Sequence, residues 1–397
     1  MRPDLKREVT SDNEPVWDDQ LWTPFPSLRG EITTGTCVVG LGGSGLTVIE
    51  ELLARGEAVV GLDAADVAAG AAGRNGGFLL AGAYDFYHDA VRKHGRDRAF
   101  AIYQATLVEM QRIAEAAPGT VRFVGSRRIA ADEWEIEDCR AQMAAMQADG
   151  LACEWYEAAD GVGLMFPSDA SFNPLARCRI LARDAVQAGA RLFSRSPVTS
   201  VQGRRVDTAE GTVHCQRVIV AIDGRLEVLL PELGGRVRTA RLQMLATAPT
   251  AEITVPCPMY YREGYEYWQQ LPDGSLTIGG FRDQAGPSEW SLDARPTAPV
   301  QELLETFVRT HLGVTAPITH RWAACAGYTE SGLPVLEQVR EGVWALGGYS
   351  GTGNVIGALS GRAVVAAALD GNLAPARVLH GERWSPEVPT VIAPSLS

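Results

Sequence analysis

Basic residues are sparse and scattered in this chain: 36 Lys and Arg face 48 Asp and Glu, a net charge of −12, and no basic run occurs. That balance argues against a nucleic-acid partner, because phosphate backbones are bound by clustered cations. Long apolar runs are missing too. No stretch approaches the roughly 18 consecutive apolar residues of a membrane-spanning helix, so no integral membrane segment is expected. The first 20 residues are polar and charged, without the apolar core of a signal peptide. A cytoplasmic protein with a loose N-terminal arm is the expectation. The seven cysteines (37, 139, 153, 178, 215, 257 and 325) are odd in number and scattered, with no C-x-x-C pair. Neither a disulfide framework nor a metal site is expected from them.

What the chain does have is glycine, 42 residues of it, and enough apolar character (46%) for real cores. At 397 residues it exceeds the size at which one core stops growing, so two domains are expected. The most informative glycines are Gly40, Gly42 and Gly45 in Thr36-Cys37-Val38-Val39-Gly40-Leu41-Gly42-Gly43-Ser44-Gly45. An apolar run precedes them, a helical apolar pattern follows, and a second apolar run ends at Asp63, 18 residues after Gly45. Strand, glycine turn, helix, strand and acid make a dinucleotide-binding βαβ unit. Gly40 allows the tight turn, Gly42 lets backbone approach a pyrophosphate, and Gly45 lets the helix pack closely. The helix N-terminus then presents unpaired N–H groups to phosphate, and Asp63 reaches the ribose.

A second segment, Gly70-Ala71-Ala72-Gly73-Arg74-Asn75-Gly76-Gly77-Phe78, can lay backbone directly against a flat ligand. The third is Gly347-Gly348-Tyr349-Ser350-Gly351-Thr352-Gly353-Asn354, between an apolar strand and an apolar helix over 355–369. Between them the pattern predicts a helix over 85–117, a strand over 121–130, and helices over 135–149, 173–189 and 298–312. Strands are predicted over 190–201, 206–207 and 213–223, with a hairpin turn at Glu210-Gly211, and over 259–262, 265–271 and 275–281. The run 218–224 reads as a buried strand with which the nucleotide domain resumes. On 265–271, Tyr265, Tyr267 and Gln269 share one face, and Glu266, Trp268 and Gln270 the other. Aromatic and polar side chains on both faces suggest the wall of a cavity.

These segments, in this order and spacing, resemble the FAD-dependent D-amino acid oxidase/glycine oxidase superfamily, and within it the γ-glutamylputrescine oxidase-like branch. Trp22…Pro24…Pro26-Ser27-Leu28-Arg29-Gly30 and Gly327-Tyr328-Thr329-Glu330-Ser331-Gly332-Leu333-Pro334 also resemble that branch. The resemblance covers residues 20–370. It implies an α/β fold, with a Rossmann-like FAD-binding domain over 31–84, 170–238 and 322–375. A β-rich substrate domain would take 85–169 and 239–321, flanked by the arm 1–30 and a tail 376–397.

The resemblance also assigns roles. Gly40, Gly42, Gly43, Ser44, Gly45, Asp63 and Ala64 would hold the ADP half of FAD, with Val198, Ala221 and Gly224 beside it. Gly73, Arg74, Asn75, Gly76 and Gly77 would line the flavin ring, as would Gly348, Gly351, Thr352, Gly353 and Asn354. Backbone donors in the late loop would stabilise negative charge on the reduced ring. Tyr261, Arg282 and Tyr349 are the catalytic candidates. Tyr265, Tyr267, Trp268 and Thr277 are the substrate-binding ones, Thr277 standing where some relatives carry a lysine near the flavin. Arg282 could clamp a carboxylate. Some relatives attach flavin through a cysteine directly before a Tyr-Thr pair. Cys325 stands too far from Tyr328-Thr329 for that, so FAD is expected to bind non-covalently.

The implied reaction oxidises the C–N bond of a small amine or amino acid, with O2 or another acceptor taking the electrons. A dehydrogenase of a 2-hydroxy acid, or a flavin-binding protein without activity, is the alternative. Substrate identity and oligomeric state stay open.

Overall fold

The computed structural model describes residues 13–386, Gln20 excepted. Its first organising layer is a six-stranded sheet. The order is Arg191–Phe193, Val59–Leu62, Thr36–Val39, Arg217–Val220, Val343–Gly347 and Val335–Arg340. Every neighbouring pair is parallel except the last. Thr36–Val39 and Val59–Leu62 are buried along their whole length, which explains why they read as unbroken apolar runs rather than alternating ones. Helices Gly43–Ala54, Pro174–Gln187 and Ile356–Asp370 share one core on this sheet. The other face is covered by a four-stranded sheet of Gly30–Thr33, Gly211–His214, Arg205–Thr208 and Val198–Gln202.

A second layer is an eight-stranded sheet. Its order is Ile318–Tyr328, Arg238–Thr247, Leu276–Gly279, Glu266–Gln270, Met259–Tyr261, Ser126–Ile129, Gly161–Phe166 and Glu154–Ala158. The amphipathic helix Ala298–Thr310 buries one face through Val300, Leu304, Phe307 and Val308. Helices Tyr87–His94, Arg96–Ala116 and Glu133–Ala148 close the far end. Among the described residues, no helix is long and apolar enough to cross a membrane.

Several elements differ from their sequence pattern. The helix expected over 85–117 is broken at Gly95, whose φ of +85° no helix accommodates. The strand over 121–130 is two, Val121–Arg122 and Ser126–Ile129, parted by a turn at Gly125 with φ +73°. The stretch 190–201 divides at Ser196-Pro197 between two sheets. The expected domain boundary at 322 falls inside Ile318–Tyr328, a single strand paired along Arg238–Thr247.

The arm is not loose where it is described; its first 12 residues lie outside the described ones. Trp17 is buried, and Arg179 pairs with Asp18 at 2.9 Å. Asn13 accepts from Ala323 N at 2.9 Å and donates to Ala294 O at 2.8 Å.

Candidate flavin and substrate site

The βαβ unit has backbone geometry that only glycine meets. A Cβ on Gly45 would lie 1.9 Å from Gly40 O, and one on Gly40, at φ +105°, would lie 2.4 Å from Ala221 O. Both clashes are with backbone atoms, so no side chain can move aside. Gly42 is the N-cap of Gly43–Ala54, and no side chain caps that helix. Its first-turn N–H groups therefore remain available to an anion. Asp63 braces the loop: its carboxylate accepts from Leu41 N at 2.8 Å and Ala65 N at 2.9 Å. Burial pushes that carboxyl up from its ordinary value, against the pull of these amides. Ser196 N bonds Asp63 O at 2.8 Å, which brings the strand beginning at Val198 beside the acid.

The second glycine segment is held from outside at four consecutive carbonyls. Trp322 Nε1 donates to Arg74 O (2.8 Å) and Trp17 Nε1 to Asn75 O (3.0 Å). Gln269 Nε2 donates to Gly76 O and Gly77 O, and Phe172 N also bonds Gly77 O at 2.9 Å. Arg74 contributes less to a flat surface than the sequence suggested. Its guanidinium bonds Ala69 O at 2.7 Å, Asn13 O at 2.7 Å and Ala323 O at 3.2 Å, tying down the arm. Asn75 and Asn354 exchange side-chain hydrogen bonds of 3.0 and 3.1 Å, joining the second and third glycine loops. Gly73 and Gly77 are close-approach positions: a Cβ on either would lie 2.5 Å from a backbone oxygen, that of Ala68 or of Phe172.

Asp223 fixes the third loop. Its half-buried side chain accepts from Tyr349 N at 3.1 Å and Gly327 N at 3.2 Å, and desolvation pushes the carboxyl up to about 6. Gly347 and Gly224 let the loop and the strand Ile318–Tyr328 close over it. Gly348, Ser350 and Gly351 all take positive φ, which turns Gly351, Thr352 and Asn354 into the cavity. Tyr349 is a correction. Its ring is buried against Gly353 and Gly357 in the core of the six-stranded sheet and does not line the cavity.

Between the glycine loops and the eight-stranded sheet lies a cavity of about 470 Å³. Arg74, Asn75, Gly76, Tyr265, Tyr267 and Arg282 are on its wall. Tyr261 and Trp268 are not. Tyr261 sits 5.0 Å from the His311 ring, and Trp268 5.5 Å from the Phe307 ring, under helix Ala298–Thr310. Strand alternation gives the reason: Tyr260 and Tyr267 take the cavity face, so their neighbours take the helix face. Thr277 pairs with Gln269 and is wholly buried, with its hydroxyl unpartnered, short of the cavity wall.

The Arg282 guanidinium lies 4.7 Å over the Tyr328 ring and 5.1 Å from that of Trp290. Among the described residues no carboxylate pairs with it. Burial raises the Tyr328 phenol to about 12, so it stays protonated beside that cation. Cys325 alternates away from the cavity-lining Ala324 and bonds Ser291 O at 3.5 Å. Sequence reasoning assigned no role to Trp17, Asp169, Asp223, Tyr260, Gln269 or Trp322. Two of them carried a local signal: Tyr260, adjacent to a chosen tyrosine on a predicted strand, and Gln269, on the same strand face as Tyr265 and Tyr267.

The glycine loops and the aromatic wall bound one cavity, and the chain is similar to known proteins over most of its length. Gamma-glutamylputrescine oxidoreductase of Escherichia coli (strain K12) is 28% identical over 361 residues, spanning 84% of this chain and 83% of that protein. The probable oxidoreductase OrdL of Rhizobium meliloti (strain 1021) is 23% identical over 362 residues, 83% and 81% of the two chains. The fold superposes on L-proline dehydrogenase from P. horikoshii with a TM-score of 0.71 at 18% identity, over 89% of this chain and all of the other. For glycine oxidase from Geobacillus kaustophilus the TM-score is 0.70 at 19% identity, over 86% and 95%. Residues 36–367 match the family described as FAD dependent oxidoreductase (DAO). The chain belongs to that family and is an FAD-dependent oxidoreductase.

Proposed function

We propose that the protein oxidises the C–N bond of a small amine or amino acid. The observation that carries this reading is Arg282: a cation without a carboxylate partner among the described residues, held between two aromatic rings on the wall facing the glycine loops. A substrate carboxylate would satisfy it with paired hydrogen bonds. Relatives whose names describe action on amines or amino acids share the fold.

FAD, when bound, supplies the acceptor for the hydride that leaves the carbon bearing nitrogen. The free amides of the helix beginning at Gly43 would hold its pyrophosphate, and Asp63 and Val198 the adenosine end. Gly76 and Gly77, immobilised through their carbonyls, would lie against its ring. Arg282, Tyr265 and Tyr267 orient the substrate and keep water from the reacting carbon. The product imine hydrolyses to a carbonyl and ammonia or an amine. O2 is the proposed final oxidant, giving H2O2. The side chain of Cys325, turned away from the cavity, supports a non-covalent flavin.

The test is anaerobic mixing of the FAD-loaded protein with polyamines and with D- and L-amino acids, followed in the visible flavin absorbance. Bleaching by one class supports the proposal and names the class. A protein that stays yellow with all of them, yet bleaches with 2-hydroxy acids, overturns it.

A further inference from the structure

The cavity continues past the residues that face the glycine loops. Its far end is walled by Ile102 and Tyr103 of helix Arg96–Ala116, by Phe166, and by Tyr260. The rings come in two pairs: Phe166 and Tyr260 stack at 6.4 Å, and Tyr103 meets Tyr87 edge-on at 5.6 Å. Four carboxyls line the cavity, Asp85, Asp89, Glu263 and Asp169, and of these Asp169 alone is buried, at 3% exposed. Its two oxygens accept from neutral donors, Ser126 Oγ at 2.6 Å and Ala81 N at 2.9 Å.

No cation is paired with it among the described residues. Arg128, the arginine on that side, is committed to Asp138 and Gln142, each at 2.7 Å, and to the Phe86 ring. The hydroxyl of Tyr87 is likewise engaged, by Asp149 at 2.6 Å. Those of Tyr103 and Tyr260 make no hydrogen bond among the described residues, though both residues are at least nine-tenths buried. Without a counter-cation, burial drives the Asp169 carboxyl up to about 7. A buried carboxyl lacking a cation, amid aromatic faces and idle phenol oxygens, has one kind of complement. An ammonium group neutralises the charge, donates to the oxygens and lies against the rings.

We propose that the far end of the cavity is an ammonium subsite, in which Asp169, Tyr103 and Tyr260 bind a second amino group that the substrate carries away from the carbon being oxidised. The inference rests on the reading of the cavity as a substrate site. It narrows that reading to diamines or to amino acids with a basic side chain.

Matched pairs test it: 1,4-diaminobutane against butylamine, and ornithine against norvaline. Each is mixed anaerobically with the FAD-loaded enzyme, and flavin bleaching gives a binding constant and a rate. In at least one pair the member with two amino groups should bind about tenfold to a hundredfold more tightly, the scale of a hydrogen bond to a charged group. Asp169→Asn keeps an acceptor for Ala81 N and a polar partner for Ser126, so it removes the charge without the brace. It should abolish the preference, bringing the affinity for the compound with two amino groups down to that for its partner with one. Tyr103→Phe combined with Tyr260→Phe should weaken the preference in the same sense without touching Asp169.

Equal binding of the paired compounds by the wild type overturns the subsite. So does an equal loss for both members in Asp169→Asn, which would make Asp169 a brace alone. Calorimetric binding of the same compounds separates this failure from that of the oxidation reading. If nothing bleaches but ornithine or diaminobutane binds the wild type and not Asp169→Asn, the oxidation reading falls and the subsite stands.

Discussion

Replacing Arg282 tests the substrate wall most directly. The guanidinium is partly exposed and lies between the rings of Tyr328 and Trp290, at 4.7 and 5.1 Å. It has no carboxylate to lose among the described residues, so Arg282→Met leaves no orphaned acid behind. A hydrogen bond to a charged group contributes about 1.5–3 kcal/mol, and a carboxylate clamp has two. Partial exposure favours the low end, about 2–3 kcal/mol for the pair after solvent competition. At about 1.36 kcal/mol per factor of ten, Arg282→Met should weaken binding of a carboxylated substrate by roughly 30- to 160-fold. Arg282→Lys keeps the charge but loses the fork and the stacking, and should fall between. Amines without a carboxylate should bind all three proteins alike. The assay is the substrate dependence of anaerobic flavin bleaching, which separates binding from chemistry. Equal losses for carboxylated and carboxylate-free substrates would refute the reasoning, because Arg282 would then be supporting the wall rather than reading the substrate.

Three further outcomes follow from the loops. Gly45→Ala places a methyl 1.9 Å from Gly40 O, so the protein should lose at least about 1–3 kcal/mol of stability and emerge from gel filtration without flavin. Trp17→Phe keeps the buried ring but removes the 3.0 Å bond to Asn75 O; FAD should dissociate about two- to tenfold faster, for a hydrogen bond of about 0.5–1.5 kcal/mol. Asp223 sets a pH dependence. Its folded pKa of about 6 lies above the ordinary 3.8, so its contribution to apoprotein stability is complete below about 4 and is lost as pH rises through 6. Asp223→Asn should remove that slope from chemical-denaturation curves measured across this window; an unchanged slope would place the titration elsewhere.

The nucleotide half was legible because its demands are local. Gly40 and Gly45 are required by backbone contacts within one turn and its neighbouring strand, and such requirements leave a spacing in the sequence. Asn75 and Asn354 were placed at the site by the family resemblance, although their mutual bond was not foreseeable. The cavity wall was harder. Alternation showed that Tyr265 and Tyr267 share a face, but not which face meets helix Ala298–Thr310. Trp268 and Tyr261 were therefore assigned to the cavity when they belong to the core beneath that helix. The braces were not legible at all. Gln269 reaches Gly76 across 193 residues and Trp322 reaches Arg74 across 248. Nothing near either residue in sequence signals that contact. Asp169 and Asp223 each hold amides far away in sequence, Ala81 N and Gly327 N, and nothing local signals either contact.

One strand connects these separate requirements. Along Ile318–Tyr328, Trp322 secures the carbonyl of Arg74, Ala324 faces the cavity, and Tyr328 flanks Arg282. These three positions share one face, since side chains alternate along a strand. From the same strand, Ala323 holds the arm through Asn13 and Gly327 N holds Asp223 beneath the third glycine loop. Its pairing with Arg238–Thr247 runs nearly its full length, which fixes the register strongly. A slip of one residue would turn Trp322 and Tyr328 to the opposite face and release the segment 74–77 and Arg282 together. The proposed flavin segment and the proposed substrate wall are thus not positioned independently in this fold. A variant that loosens this strand should lower FAD affinity and substrate affinity in proportion, whereas one confined to Arg282 should change only the second.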